Sequence, residues 1–475
     1  MLLLIGYAIW RCGVPVYSNW DKFYGPKQAN FMGSDRACSE LAKAILERGE
    51  YSLEPGGKPY GMRTPGYPYV IAGFMAVFGD NWVSSLAIFQ ALCIIFAVLC
   101  IYIAGCKLRG PPVGAMAGFL VASYAPYHFA SCMLLRESIC LALFASTMLL
   151  LIRGFYFKKS FIVMGILVGF NAMLREEFML LTIPCFAAIF LGEFGSYKEL
   201  LANIKIQWRK PVLKCLSIIG IILIVFSPWI IRNAIVYKRF QMTGTLGGIQ
   251  LFLGNNRMIR PFGYAYEYDF IEHIPEMKDH SDYEVGQIYG KRALKFMLNN
   301  PDRLVVNAIG KFFIALENSI KKVNDFPVIF IGLFFGVLFG AHFKLSNSRT
   351  MLLSLAFIFP LYLYWRGGLS PGMWSKGIPW GLTIPSIEFG WLVRIFGIFG
   401  FLYLLYRGKE IPLVLVFPVI FMVNLIFIPQ PRHRWITDWL FMLWICILLR
   451  DMAIYIMNKQ NPDRKTESKP IPTGS

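Results

Sequence analysis

Long apolar runs restrict the fold of this chain more than any other feature of its sequence. They cover roughly residues 1–16, 82–105, 112–133, 138–152, 160–173, 178–192, 214–231, 326–341, 350–365, 387–406, 411–428 and 435–455. A helix that crosses a bilayer needs about 20 apolar residues, so these runs predict about twelve spans, with a range of about 11 to 13. The run at the start lacks a basic segment and a cleavage site, so we expect it to be the first span, although Arg11 interrupts it.

Composition supports the same fold class. The 475 residues are 56% hydrophobic and 16% charged, and the mean hydropathy is +0.53. Soluble domains do not combine that hydrophobicity with so few charges, so we predict an all-α, multi-pass integral membrane protein. Most cysteines fall inside apolar runs and none has CxxC spacing, which predicts buried side chains rather than disulfides or metal ligands.

Lysine and arginine predict the orientation. They concentrate in the segments 107–110, 153–160, 193–214, 342–349, 407–409 and the tail after Arg450. Basic loops of this kind stay on the inner side of a membrane, so the polar segments 17–69, 232–325 and 366–386 should lie outside. Residues 303–320 are also apolar, but Lys311 in their middle favours a helix on the outer surface. The formal charge of +19 follows from this topology and gives little reason to expect nucleic acid as a partner.

The first outer segment contains a predicted amphipathic helix. Ser34 is a good N-cap and Gly49 a good residue to follow the last turn, so we expect a helix from Asp35 to Arg48. Apolar residues recur on one face of this helix, which suits either a membrane surface or a protein core. A turn rich in glycine and proline follows and carries Arg63.

Five stretches of the sequence, taken in order, resemble a known family. They are residues 34–51 (SDRACSELAKAILERGEY), 62–81 (MRTPGYPYVIAGFMAVFGDN), 134–138 (LLRES), 227–256 (SPWIIRNAIVYKRFQMTGTLGGIQLFLGNN) and 430–443 (QPRHRWITDWLFML). In this set the chain resembles the GT-C membrane glycosyltransferases of the protein-mannosyltransferase and aminoarabinose-transferase type. Residues 365–382 depart from that pattern.

The resemblance implies a GT-C fold and an enzyme. Such an enzyme takes a sugar from a polyprenyl-phosphate donor, of undecaprenyl or dolichyl type, and transfers it with inversion to a lipid, glycan or protein acceptor. Its site would face outward, which in a bacterium means an inner-membrane protein with a periplasmic active site. We expect a catalytic module over residues 1–325, with outer loops at 17–81 and 232–325. Residues 326–475 would then form C-terminal helices and a short cytoplasmic tail.

Two acids are candidates for catalysis. The transfer needs a base to take a proton from the acceptor, and we predict that Asp35 is this base. The free N–H groups of a first helical turn favour its ionised form, although an acid prefers that position in any case. Glu137 opens the fourth predicted span, where an unpaired acid is costly, so we expect it to pair with Arg136 or Arg175. It is either a second active-site acid or part of a structural ion pair.

Cations should hold the departing phosphate. Arg63 matches the cation that the family carries in this turn, and its alternative is an interfacial arginine that bonds lipid headgroups. We further predict phosphate contacts from Arg232 and from the cluster Arg432, His433 and Arg434. Each of these has an ordinary alternative, either a snorkelling arginine or a helix-end anchor.

Three further residues should contact the substrates, and we expect no cofactor. The predicted substrate contacts are Tyr60, Asn233 and Asn255. The sequence has no DxD motif and no histidine spacing that is typical of a metal site, so we predict none. The expected partners are therefore the lipid-linked donor, the acceptor and membrane lipids.

Two other functions remain open at this point. One is a polymerase or ligase that transfers an oligosaccharide from a polyprenyl diphosphate. The other is a lipid or solute transporter without chemistry, which internal repeats and charges deep in several spans would favour. No repeat is visible, although Arg394 lies within a predicted span and needs a partner.

Overall fold

A computed structural model describes residues 1–18, 36–153, 160–194, 208–256, 274–277, 279–316, 324–327, 383–408, 410–427 and 431–460. Sixteen α-helices follow one another in this part of the chain. They are α1 Leu2–Ser18, α2 Arg36–Arg48, α3 Gly66–Phe78, α4 Trp82–Arg109, α5 Pro111–Ser123, α6 Ala125–Cys132, α7 Glu137–Arg153, α8 Ser160–Leu174, α9 Thr182–Phe194, α10 Arg209–Tyr237, α11 Gly247–Gly254, α12 Asp282–Asn299, α13 Pro301–Leu316, α14 Ser386–Arg407, α15 Ile411–Ile426 and α16 Pro431–Gln460. Short 3₁₀ turns lie at Gly79–Asn81, Glu176–Leu181 and Pro275–Met277.

The helical class is as predicted, with one addition. Two short strands, β1 Asn324–Pro327 and β2 Thr383–Pro385, pair antiparallel, with Phe326 opposite Ile384. The prediction of an all-α chain left this pair out, because each strand is only three or four residues long and contains a proline. Most of the predicted runs 326–341 and 350–365, and the departing segment 365–382, lie outside the described residues.

Hydropathy of the described helices supports membrane insertion in part. On length and composition, Gly66–Arg109 and Arg209–Tyr237 are long and apolar enough to cross a membrane. Six apolar helices are shorter than this: Leu2–Gly13, Pro111–Ser123, Glu137–Ile152, Ser160–Leu174, Phe396–Arg407 and Ile411–Ile426. The number of spans therefore stays a prediction.

One predicted run is broken. Residues 112–133 form two helices, α5 and α6, which are separated at Tyr124 by an extended backbone with ψ 109°. Pro126 has no N–H to offer the carbonyl four residues earlier, so the helix cannot continue through this point. The break places a corner in the bundle next to α1.

The helices pack closely through small residues. A Cβ on Gly105 of α4 would lie 2.7 Å from the Cα of Gly114 on α5. Gly165 and Gly169 of α8 lie against Ile221 and Val225 of α10 in the same way. This spacing of small residues lets helix backbones approach where apolar solvent gives little driving force for association.

The predicted amphipathic helix is present as α2. Its buried residues include Cys38, Leu41 and Ala42, which recur at helical spacing on one face, and this face packs against α3. Protein, rather than a bare membrane surface, therefore covers this face. Gly49 follows the helix with φ +65°, the left-handed conformation expected there.

Charged clusters mark the two ends of the bundle. At one end Arg109 of α4 contacts Glu410, just before α15, at 2.8 Å and Asp451 of α16 at 3.2 Å. At the other end Glu137 opens α7, and the last carbonyls of α15 bind Lys311. The end of α4 and the start of α15 thus share one side, as the predicted alternation of the spans requires.

The orientation leads to a first prediction. In a cysteine-free background, a cysteine at Lys295 should react with a membrane-impermeant maleimide on intact cells, whereas one at Lys210 should react only after permeabilisation. Both side chains are exposed, so access depends on the side of the membrane and not on burial. Labelling of position 210 from outside would show that the orientation is opposite to the predicted one and would remove the basis for an outer active site.

Candidate active site

Hydrogen bonds hold the turn that carries Arg63 against the end of α8. The hydroxyl of Tyr51 donates to the carbonyl of Arg63 at 3.1 Å, and Thr64 Oγ1 donates to the carbonyl of Leu174 at 3.1 Å. Gly66 leaves no room for a side chain, because a Cβ there would lie 2.6 Å from the carbonyl of Met173. Gly66 therefore allows the turn to approach α8 closely.

Arg232 fixes the same turn from the end of α10. Its Nη2 donates to the carbonyls of Tyr51 at 3.3 Å and Tyr60 at 3.2 Å. Its guanidinium also lies over the rings of Tyr51, Trp229 and Tyr237, at 5.4, 4.9 and 5.5 Å from their centroids. These contacts hold the first outer loop in place, since both acceptors are backbone atoms of that loop.

The second outer loop closes on the turn from the other side. The backbone N–H of Thr245 donates to the carbonyl of Gly61 at 2.8 Å, and Asp282 accepts from the N–H of Gly61 and, at 3.1 Å, from Thr245 Oγ1. Asp282 sits in the first turn of α12, which a reciprocal pair of hydrogen bonds between Ser281 and Glu284 caps. We call the set of residues 51–66, 174–177, 241–247 and Asp282 the outer junction.

A chain of buried charges joins the outer junction to the start of α7. Arg175 Nη1 contacts Glu137 Oε1 at 3.2 Å, and its Nη2 contacts Glu177 Oε1 at 2.5 Å. Glu137 therefore pairs with Arg175, one of its two predicted partners, while Arg136 donates to the carbonyl of Leu174 at 3.0 Å. The second oxygen of Glu137 is buried and has no hydrogen-bond partner.

The surroundings shift the pKa values of two adjacent glutamates in opposite directions. Burial and the charge of Glu177 raise the pKa of Glu176 to about 7, although the backbone N–H of Gly244 donates to it at 2.9 Å. Burial opposes the ionisation of Glu177 as well, but Arg175 and Arg136 outweigh it and lower the pKa of Glu177. A proton near neutral pH therefore resides on Glu176 rather than on Glu177.

Asn255 lies in a separate cluster. Lys311 donates to Asn255 Oδ1 at 3.1 Å and to the carbonyls of Leu425 and Ile426 at 3.2 Å each. A cation is favourable at these last carbonyls of α15, while burial lowers the pKa of Lys311 to about 8. Asn255 and Lys311 thus connect α11, α13 and α15, and Asn255 does not reach the outer junction through any described contact.

The structure brings some of the predicted site residues together. Tyr60, Arg63, Arg232 and Asn233 belong to or contact the outer junction, and Asn233 donates to the carbonyl of Gln241 at 2.9 Å. Glu137 joins this group through Arg175. Asp35 lies outside the described residues. Arg432, His433 and Arg434 are in the first turn of α16, but their side chains are outside the described part as well.

Sequence reasoning missed Glu176, Glu177 and Asp282 as members of the site. The pair Glu176–Glu177 directly after Arg175 was a usable signal, because three charges between two apolar runs need mutual compensation. Ser281 followed three residues later by Glu284 also marks a helix start. The contact of Asp282 with Gly61 joins residues 221 positions apart, which no local pattern indicates.

No metal site is apparent in the part of the chain that the structure describes. There, no group of three or more histidine, cysteine, aspartate or glutamate side chains is placed to hold an ion.

The family resemblance can be compared with this geometry. Residues 62–231 match the family model for dolichyl-phosphate-mannose-protein mannosyltransferases. The resemblance is confirmed for this segment. It begins beside Arg63 in the outer junction, includes Glu137 and Arg175 to Glu177, and ends directly before Arg232.

Solved structures show distant similarity over nearly the whole chain. The oligosaccharyltransferase of Archaeoglobus fulgidus in its apo form is 13% identical, with a TM-score of 0.49, over 98% of this chain and 51% of that one. ArnT from Cupriavidus metallidurans bound to undecaprenyl phosphate is 11% identical, with a TM-score of 0.38, over 95% and 77%. The chain thus spans about half the length of the oligosaccharyltransferase. No curated protein matches the sequence.

The raised pKa of Glu176 leads to a second prediction. Its folded pKa of about 7 exceeds the ordinary 4.5, so the folded state binds more protons between these values. The free energy of unfolding should therefore fall as pH rises through that window, by about 3 kcal/mol at most. Glu176→Gln keeps an acceptor for Gly244 without the charge, so this fall should disappear and the variant should melt higher than the wild type at pH 8.

Glu177→Gln is the matched control. The lowered pKa of Glu177 contributes stability above its ordinary pKa, so its replacement should reduce the melting temperature at pH 8. Thermal unfolding in detergent at pH 5 and pH 8 measures both effects. A Glu176→Gln protein that melts below the wild type at pH 8 would contradict the assignment.

Proposed function

We propose that the protein transfers a sugar from a polyprenyl-phosphate donor to an acceptor at the outer face of a membrane. The observation that carries the proposal is the mannosyltransferase family match, because its segment contains the turn of Arg63 and the buried charges that support this turn. The acceptor is a lipid, a glycan or a protein. In a bacterium the site would face the periplasm from the inner membrane.

The proposed reaction is a single displacement. The acceptor oxygen or nitrogen attacks the anomeric carbon, the bond from that carbon to the phosphate oxygen breaks, and the polyprenyl phosphate leaves with the electron pair. Asp35 accepts the proton of the acceptor group as general base. No metal is assigned a role, and the displacement inverts the anomeric carbon.

The basic residues have two different roles in the proposed reaction, phosphate binding and positioning of the loop. Arg63, together with Arg432, His433 and Arg434, is assigned to the charge of the phosphate. Arg232 is better suited to positioning, since its Nη2 donates to two loop carbonyls and its plane lies over three aromatic rings. Its direct contact with phosphate stays a prediction, as do substrate contacts of Tyr60, Asn233 and Asn255.

The outer junction would keep the turn rigid during transfer. Thr64 and Arg136 both donate to the carbonyl of Leu174, and Arg175 joins that segment to Glu137 at the start of α7. A catalytic constellation tolerates displacements of only about 0.5 Å, so a turn fixed at several backbone atoms is a suitable support. Glu137 accordingly acts through Arg175 in this proposal.

Replacing the base is the sharpest test of the proposed function. Asp35→Asn keeps the size and hydrogen-bonding capacity of the side chain but cannot accept the proton. Transfer should fall by about 10²- to 10⁴-fold while binding of the donor is retained. The measurement is sugar transfer by purified protein from a synthetic polyprenyl-phosphate sugar, with product detected by mass spectrometry.

Glu40→Gln, five positions after Asp35 in the sequence and within α2, is the matched control. Glu40 is partly exposed, and among the described residues its ion pair is with Arg36 at 2.9 Å, so its replacement should leave turnover near the wild-type value. Near-normal turnover of Asp35→Asn would make Glu137 the next candidate for the base. No transfer by the wild type from any polyprenyl-phosphate or polyprenyl-diphosphate sugar would overturn the proposed function.

Arg63 provides a separate prediction about the donor. Arg63→Ala should raise the KM for the lipid donor more than the KM for the acceptor. Arg63→Lys should restore the donor KM only in part, because a guanidinium binds phosphate oxygens through two N–H groups and an ammonium does not. Steady-state kinetics at varied donor and acceptor concentration separates the two effects. An unchanged donor KM in Arg63→Ala would remove this residue from the phosphate site.

A further inference from the structure

Four large apolar side chains are exposed where α12 meets α13. Leu294 and Leu298 of α12 are 51% and 80% exposed, and Val305 and Ile309 of α13 are 60% and 47% exposed. Each pair is four residues apart, so its two members lie on one face of their helix. Asn300 alone separates the two helices. We call residues 291–309 the α12–α13 corner.

Another face of α12 is fixed against protein. Tyr289 and Ala293 are buried on that face, and Gly248 of α11 has no room for a Cβ beside the carbonyl of Gly286. The helix therefore cannot turn its exposed leucines inward without losing this close packing. Their exposure follows from the fold.

Contacts at both ends place the corner along the boundary of the bundle. In the first turn of α12, Tyr283 stacks on Tyr237 at the end of α10, with ring centroids 5.6 Å apart. In α13, Lys311 binds the last carbonyls of α15, and Phe312 meets Phe421 of that helix edge-on at 5.5 Å. Because α10 is long and apolar enough to cross a membrane, its end lies where the bilayer meets water. The two helices thus run between the ends of α10 and α15 at that level.

Basic side chains lie at the same corner. Lys291 and Lys295 are exposed one turn apart on α12, and Arg303 is exposed in the first turn of α13. None of the three forms an ion pair with a carboxylate of the described chain. Asp302 is the single acid in the sequence from 291 to 309. The corner therefore combines exposed apolar surface with an excess of positive charge.

We propose that the α12–α13 corner inserts into the boundary of the bilayer and binds anionic phospholipids there. The four apolar side chains contact the acyl chains, and Lys291, Lys295 and Arg303 bind the phosphates of the headgroups. Amphipathic helices bind a membrane surface through both terms, buried apolar area and attraction to anionic lipids. The long stems of lysine and arginine reach the headgroups while they cover apolar surface.

The charges favour a lipid surface over a protein partner. Lysine is depleted at the centre of protein interfaces, whereas here two lysines lie beside the exposed leucines of the same helix. Anionic headgroups above acyl chains match both the charge and the apolar surface. This inference uses neither the outer junction nor the transfer reaction, so it is independent of the proposed function.

Quenching by brominated lipids tests the contact with acyl chains. The full-length protein, in a cysteine-free background, carries one fluorophore at Leu298→Cys or Val305→Cys and is reconstituted into bilayers of brominated phosphatidylcholine. Both labels should be quenched well above a label at Glu54→Cys, which lies exposed in the polar turn of the first loop. A label at Ile224→Cys, exposed in the middle of α10, gives the reference for full contact with lipid.

Brominated phosphatidylglycerol in a phosphatidylcholine bilayer tests the headgroup. The label at Leu298→Cys should be quenched more than the bilayer composition predicts, because the anionic lipid is enriched at the corner. A basic residue near a lipid surface changes the affinity about fivefold, so Lys295→Gln should lower the relative binding constant of phosphatidylglycerol by about that factor.

Lys43→Gln is the matched control. Lys43 is exposed on α2 and has Glu40 and Glu47 on the same face of its helix, so it is not part of a positive surface. This substitution should leave the enrichment unchanged. An equal loss in Lys43→Gln and Lys295→Gln would assign the enrichment to the total charge of the protein and overturn the site.

Two further outcomes would overturn the proposal. Labels at positions 298 and 305 that are quenched no more than the label at position 54 would show that water or another protein covers the corner. Equal preference for the two lipids at position 298 would show that the corner does not select anionic headgroups. Both results come from exposed positions of an otherwise intact chain, so they do not depend on a variant that fails to fold.

Discussion

The outer half of the structure depends on the two ion pairs of Arg175. This arginine joins Glu137 at the start of α7 to Glu177 after α8, and all three side chains are largely shielded from solvent. Removing one member of a buried pair leaves an uncompensated charge and costs about 3–5 kcal/mol. In the segment held in this way, the carbonyl of Leu174 accepts hydrogen bonds from Thr64 and Arg136. The position of the first outer loop is thus set by these buried charges.

Arg232 completes this arrangement through backbone atoms. Because its acceptors are the carbonyls of Tyr51 and Tyr60, the loop can vary in side chains there without losing the contact. A substrate phosphate would have to compete with those carbonyls and with the rings that cover the guanidinium. A cation at a helix end therefore does not by itself indicate a phosphate ligand, and its partners decide which role it has.

The sequence predicted the local features of the fold better than its long-range contacts. Gly49 ends α2 as expected, and Cys38, Leu41 and Ala42 are buried, since capping and periodicity act within a few residues. The break at Tyr124 was not predicted, because the run 112–133 is apolar throughout and Pro126 alone gives a weak signal. For the site, pairing of Glu137 with Arg175 was one of two alternatives. The contact of Asp282 with Gly61 depends on how two outer loops meet, which hydropathy and local spacing do not contain.

The opposite behaviour of two neighbouring glutamates follows from where each side chain points. Glu177 faces Arg175, so its charge is compensated, and that same charge then makes ionisation of Glu176 less favourable. Glu176 accepts from the N–H of Gly244 and is influenced by the charge of Arg136, but these favour its ionised form less than burial and Glu177 oppose it. Its proton is therefore held near neutral pH at the point where the first and second outer loops approach, with Gly244 lying close to the carbonyls of Gly61 and Met62. Loss of that proton places a second negative charge beside Glu177, so the junction of the two loops is coupled to pH through one side chain.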